Sequence, residues 1–109
     1  MKLDEYYSKL AEYEIEWWKA HHRKDEPVLI RQMAKLYELQ FGIAYGNAVE
    51  AVKHRVEATK EHDLAEKLED DGDQFEADKH WKNAEDLLKE HFRILMQYIQ
   101  KLTILKNSK

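Results

Sequence analysis

Six histidines are the residues of this 109-residue sequence best suited to binding a metal ion. Imidazole and carboxylate groups are the ligands with which helical bundles hold iron, zinc or manganese. His62 and Glu66 are four residues apart, which places them on one face of a helix. His91 belongs to a different predicted helix, so a site would be assembled across helices. A divalent transition-metal site is therefore the less favoured of the two functions that the sequence suggests. Its candidate ligands are His54, His62, Glu66 and His91.

The spacing of these residues lacks the signatures of known helical metal sites. Di-iron bundles use Glu-x-x-His, and no histidine in this sequence has a glutamate three residues before it. There is no His-x-x-x-His pair, and there is no cysteine, which excludes disulfides, thiolate zinc sites and thiol catalysis. No other pattern indicates a catalytic centre. These observations favour a non-enzymatic protein that uses no cofactor.

Acidic residues are concentrated in one segment of the chain. Residues 61–78 contain nine acids and one lysine, and Asp70, Asp71 and Asp73 lie at a predicted turn within it. Such an acidic tip could engage a protein partner with a basic surface, although a solvated turn has the same composition. The net charge of −4 argues against a nucleic-acid partner. No apolar run approaches the ~18 residues of a membrane span, and no secretory signal precedes the domain, so a cytoplasmic protein is expected.

The hydrophobic residues that must position these groups recur at spacings of three and four, as on amphipathic helices. Glycine and proline are scarce, which argues against a β-rich fold. Pro27 suits the first turn of a helix, and Gly72 suits the left-handed residue that follows one. The sequence predicts an all-α, elongated antiparallel bundle of three long amphipathic helices, at about 2–23, 27–70 and 74–106. It predicts a single helical domain over the whole chain.

Two glycines leave the continuity of the second helix open. Gly42 and Gly46 lie on its polar side, where they could mark a kink, a break or a close approach of another backbone. The hydrophobic pattern passes through both without a change of phase. This favours a continuous helix, and the alternative is a break near residues 42–46 that gives four helices.

The first predicted helix has an unusually wide apolar surface. Its main stripe is Leu3, Tyr6, Leu10, Tyr13, Trp17 and Ala20. A second stripe beside it is Tyr7, Ala11, Ile15 and Trp18. A helix with two apolar faces is expected to touch two neighbours, and Tyr and Trp are frequent in interfaces. We therefore predict Tyr7 and Trp18 as interface residues. The two ends of the long second helix would leave apolar surface exposed on a monomer, which predicts a homo-oligomer, most simply a symmetric dimer.

These patterns favour a non-enzymatic helical interaction or assembly protein. It would act through an apolar helix seam and, in addition, through the acidic tip at Asp70, Asp71 and Asp73. His91 occupies a seam position between Leu88 and Leu95, where a histidine can fix the register of packing or respond to pH.

Overall fold

A computed structural model describes the backbone of residues 2–107 and the side chains of residues 2–99. This part of the chain contains helices and no strand, which confirms the all-α prediction. The helices are α1 (Leu3–Arg23), α2 (Glu26–Phe41), α3 (Tyr45–Asp70) and α4 (Gln74–Asn107). Apart from the break between α2 and α3, each helix end predicted from the sequence lies within one residue of the observed end.

The preference for a continuous second helix was wrong, because the chain breaks between α2 and α3. Gly42 adopts the left-handed conformation (φ 69°, ψ 21°), and its N–H donates to the Glu38 carbonyl at 2.9 Å. This closes α2 as a glycine C-cap does. Ile43 then turns into the core, where it is 3% exposed, and Ala44 is the extended residue before α3. The four-helix alternative is therefore the architecture of the described residues.

The two other turns lie where Pro27 and Gly72 predict them. Between α1 and α2, the Asp25 carboxylate accepts a hydrogen bond from the Val28 N–H at 3.4 Å, and Pro27 lies in the first turn of α2. Between α3 and α4, Gly72 has a φ of 83°. The Asp73 carboxylate accepts from the Glu76 N–H at 3.2 Å and so caps α4.

The helices pack in chain order, α1 on α2, α2 on α3 and α3 on α4. The resulting molecule is elongated, with extents of 55 × 33 × 19 Å. Its core is built mainly by the middle helices and the second half of α4, and includes Met33, Ile43, Val52, Val56, Ile94 and Leu95. Further along the α3–α4 hairpin the buried side chains are small: Ala58, Ala65, Ala77 and Ala84. Small side chains allow the two helices of the hairpin to approach closely.

Candidate functional site

The most conspicuous surface combines the second apolar stripe of α1 with Leu3, the exposed first residue of the main stripe. We call it the outer face and define it as Leu3, Tyr7, Ala11, Ile15 and Trp18. Among the described residues, α1 packs extensively only against α2. Its first stripe meets that neighbour, and the outer face meets solvent. The large side chains of the outer face are about half exposed or more: Leu3 64%, Tyr7 57%, Ile15 46% and Trp18 49%. The described chain thus covers one of the two apolar faces that the sequence predicts.

Charges beside the outer face differ in sign between its two ends. At 100° per residue, Asp4 lies within the outer face between Ala11 and Ile15, and Lys19 lies beyond Ile15 on the side away from α2. Asp4 is one residue from the start of the stripe, and Lys19 is one residue past its end. The last turn of α1 adds His21, His22 and Arg23, so the helix is acidic at its beginning and basic at its end. These charges also suit the helix dipole, which accounts for part of the pattern.

A cavity of about 870 Å³ lies where the end of α1, the start of α2 and the middle of α3 meet. Its apolar lining is Trp17, Trp18, Leu29, Met33 and Val56. Its polar lining is His21, His22, Lys24, Glu26, Arg55, Thr59, Lys60 and Asp63. The cavity exists because α1 packs along α2 and has no extensive contact with α3. A space therefore remains between α1 and α3.

Some of the cations around this cavity are paired with carboxylates and others are not. Lys60 forms ion pairs with Glu26 at 2.9 Å and Glu57 at 3.0 Å, and these bonds raise the pKa of its ammonium group. Lys24 and Arg55 have no carboxylate partner among the described side chains. The cavity therefore has uncompensated positive charge at its polar side.

Trp17 lines the cavity and also carries a buried donor that does not reach the cavity surface. Its indole N–H is inaccessible to solvent and has no acceptor within the part of the chain that the structure describes. A buried donor without an acceptor is unfavourable, and such groups in folded proteins usually find a protein, water or ligand partner.

His91 lies in the core, 1% exposed, as its seam position predicts. Its Nδ1–H donates to the Ala51 carbonyl across the α3–α4 interface at 2.7 Å. Its Nε2 has no partner among the described residues. Burial lowers the pKa of this imidazole below its ordinary value, so it is held neutral. The hydrogen bond fixes α4 in one register on α3.

The four candidate metal ligands are not brought together. His54 binds the Glu50 carbonyl of its own helix at 2.9 Å. His62 contacts Glu66 at 3.2 Å and Asp63 at 3.4 Å on the exposed side of α3. His91 is buried and bonded as described above. Within the described residues, no group of three histidine or acidic side chains is arranged to hold a metal ion.

The acidic turn is exposed, and part of it has a structural role. Asp73 caps α4, whereas Asp70 and Asp71 project into solvent. Phe75, which follows the turn, is 74% exposed, and the Lys79 ammonium lies 4.6 Å from the centre of its ring. The turn therefore carries an exposed aromatic ring beside its charges.

Two side-chain pairs between α3 and α4 have no signal in the sequence. His80 Nδ1 lies 2.5 Å from a carboxylate oxygen of Glu61, and this bond lowers the pKa of the carboxyl group. The Trp81 indole N–H donates to Glu69 at 2.5 Å. These partners are 19 and 12 positions apart, so only the α3–α4 register reveals them.

Each helix in the described part of the chain is too short or too polar to cross a membrane. The expected cytoplasmic location stays a prediction. Comparisons with protein-family models, curated proteins and solved structures found no match to this chain.

Proposed function

We propose that this protein is a non-enzymatic helical assembly module in which the outer face of α1 packs against the outer face of a second copy. The observation that carries the proposal is the row of four large apolar side chains, each about half exposed or more, along one side of a helix. Large apolar patches on folded proteins usually mark interaction sites.

Charge complementarity favours an antiparallel arrangement of the two helices. When Ala11 lies on the two-fold axis, Tyr7 of one copy is opposite Ile15 of the other. Asp4 of each copy then lies opposite Trp18 of its partner, one residue from the partner's Lys19. The small side chain of Ala11 allows the helices to approach closely at the crossing point.

The size of this surface predicts a weak to moderate dimer. Buried aromatic side chains contribute roughly 150–250 Å² each, so the exposed halves of Tyr7 and Trp18 supply about 200 Å² per copy. A stable interface buries roughly 800 Å² per partner, which Leu3, Ile15 and the adjoining charged side chains would have to complete. We expect dissociation in the micromolar range.

Sedimentation equilibrium of the full chain from about 1 to 200 μM tests the proposal over the range that such an affinity implies. The wild type should change from monomer to dimer across this range, and Tyr7→Glu should stay monomeric because it places a charge in the interface. Phe92→Glu is the matched control, since Phe92 is 52% exposed but lies on α4. A wild type that is monomeric throughout would refute the proposal, as would equal effects of the two variants.

The metal-binding alternative has no specific support from the described residues, because its candidate ligands lie apart. A role for the acidic turn as a second contact, with a basic protein surface, is compatible with the assembly proposal. It rests on the exposed Asp70 and Asp71 alone.

A further inference from the structure

We propose that the cavity between α1, α2 and α3 binds a small amphipathic anion, a carboxylate attached to a hydrocarbon or aromatic body. This proposal does not rest on the dimer, because the residues that line the cavity all belong to one chain. Trp18 is the one residue that the cavity wall shares with the outer face.

The dimensions of the cavity are those of a ligand site. Its volume of about 870 Å³ lies within the range of roughly 300–1,000 Å³ that is usual for small-molecule sites. The apolar wall combines two aromatic rings with Met33, whose flexible thioether adapts to ligands of different shape. This wall suits the body of an apolar molecule.

The polar side of the cavity selects for negative charge. Arg55 and Lys24 lack carboxylate partners among the described residues, whereas Lys60 is neutralised by Glu26 and Glu57. Asp63, the remaining acid of the lining, is exposed and lies 3.4 Å from the His62 imidazole, so the two unpaired cations of the lining outnumber it. An arginine guanidinium can bind a carboxylate through two parallel hydrogen bonds, so Arg55 is the residue we assign to the anionic group.

Decanoate is a suitable probe, with decyltrimethylammonium as a control of equal chain length and opposite charge. The methionine methyl groups report binding by NMR. Met33 lines the cavity and Met96 lies exposed on α4, so one is the reporter and the other an internal control. We expect decanoate to shift the Met33 methyl resonance saturably and to leave Met96 unchanged, and the cationic probe to shift neither.

Two exposed positions allow the site to be altered without disturbing the core. Arg55→Gln should raise the dissociation constant of decanoate roughly tenfold, because a charged hydrogen-bonding partner is lost. Arg93→Gln, which removes the same charge from α4, should leave it unchanged. Thr59→Phe should weaken binding by filling the cavity.

Absence of a saturable Met33 shift would overturn the proposal, and so would equal binding of the two probes or equal affinity of Arg55→Gln and the wild type. Ile15→Glu separates this proposal from the dimer, because Ile15 lies on the outer face and outside the cavity lining. Decanoate should bind this variant with wild-type affinity even when self-association is lost.

Discussion

The break between α2 and α3 predicts opposite effects for alanine at two glycines that are only four residues apart. Gly42 has a φ of 69°, whereas Gly46 lies in the first turn of α3 and a Cβ there would have no atom within 4 Å. The left-handed conformation is unfavourable for alanine by roughly 1–2 kcal/mol. The reduced flexibility of the unfolded chain returns about 0.4–1 kcal/mol at either position.

We therefore expect Gly42→Ala to lower the free energy of unfolding by about 1 kcal/mol. Gly46→Ala should raise it by about 0.5–1 kcal/mol, since alanine is favoured over glycine within a helix. Chemical denaturation followed by circular dichroism at 222 nm measures both changes. In thermal unfolding, each kcal/mol corresponds to a shift of about 4 °C in the midpoint for a chain of this size.

A continuous helix through this region would give a different result. Both glycines would then lie in a helix interior, and both substitutions would stabilise the protein by similar amounts. A stabilising Gly42→Ala would refute the left-handed assignment and, with it, the four-helix architecture. A destabilising Gly46→Ala would contradict the open space that surrounds that position.

Two further predictions concern the α3–α4 hairpin. Because burial lowers the pKa of His91, the unfolded chain takes up a proton that the folded chain rejects, so the stability contributed by neutral His91 is complete above pH 6.5 and declines as the pH falls below it. His91→Leu should remove this part of the pH dependence of urea denaturation, and an unchanged dependence would refute the assignment. Asp73→Ala should lower the unfolding free energy by about 1 kcal/mol by removing the α4 cap, while Asp71→Ala should have little effect. Equal effects of the two would contradict the capping role.

Most of the helical architecture follows from the sequence because its outer boundaries are marked by local chemistry. Pro27 and Gly72 have conformations that disfavour continuation of a helix, so the adjoining ends were predicted to within one residue. The burial of His91 follows in the same way from its place between Leu88 and Leu95. These are properties of short segments, which sequence periodicity reports well.

The break at Gly42 was not predicted because periodicity does not detect it. α2 and α3 both turn their apolar sides towards one core, and Ile43 in the link between them is buried in the same core. The hydrophobic pattern therefore keeps its phase while the backbone changes direction. The sequence indicates Gly42 as a possible break, and its left-handed backbone conformation shows that it ends α2.

The cavity could not be predicted because it depends on the relative placement of three helices. Trp17 and Arg55 are 38 positions apart, and no local pattern links them. The outer face of α1, in contrast to the cavity, could be predicted, because the second apolar stripe of this helix is visible in the sequence. The structure adds that the described part of the same chain does not cover it.

Antiparallel pairing of the outer faces of two copies can be tested directly with a single introduced cysteine, because the 109-residue sequence has none. Ala11 lies on the proposed two-fold axis, so the two Ala11→Cys side chains should be close enough to form an intermolecular disulfide. In Leu3→Cys the two sulfur atoms would be separated by about 24 Å along the helices and should not react. Oxidation followed by non-reducing electrophoresis should therefore yield a covalent dimer for Ala11→Cys and monomer for Leu3→Cys. Failure of Ala11→Cys to crosslink, or equal crosslinking of both variants, would contradict this arrangement.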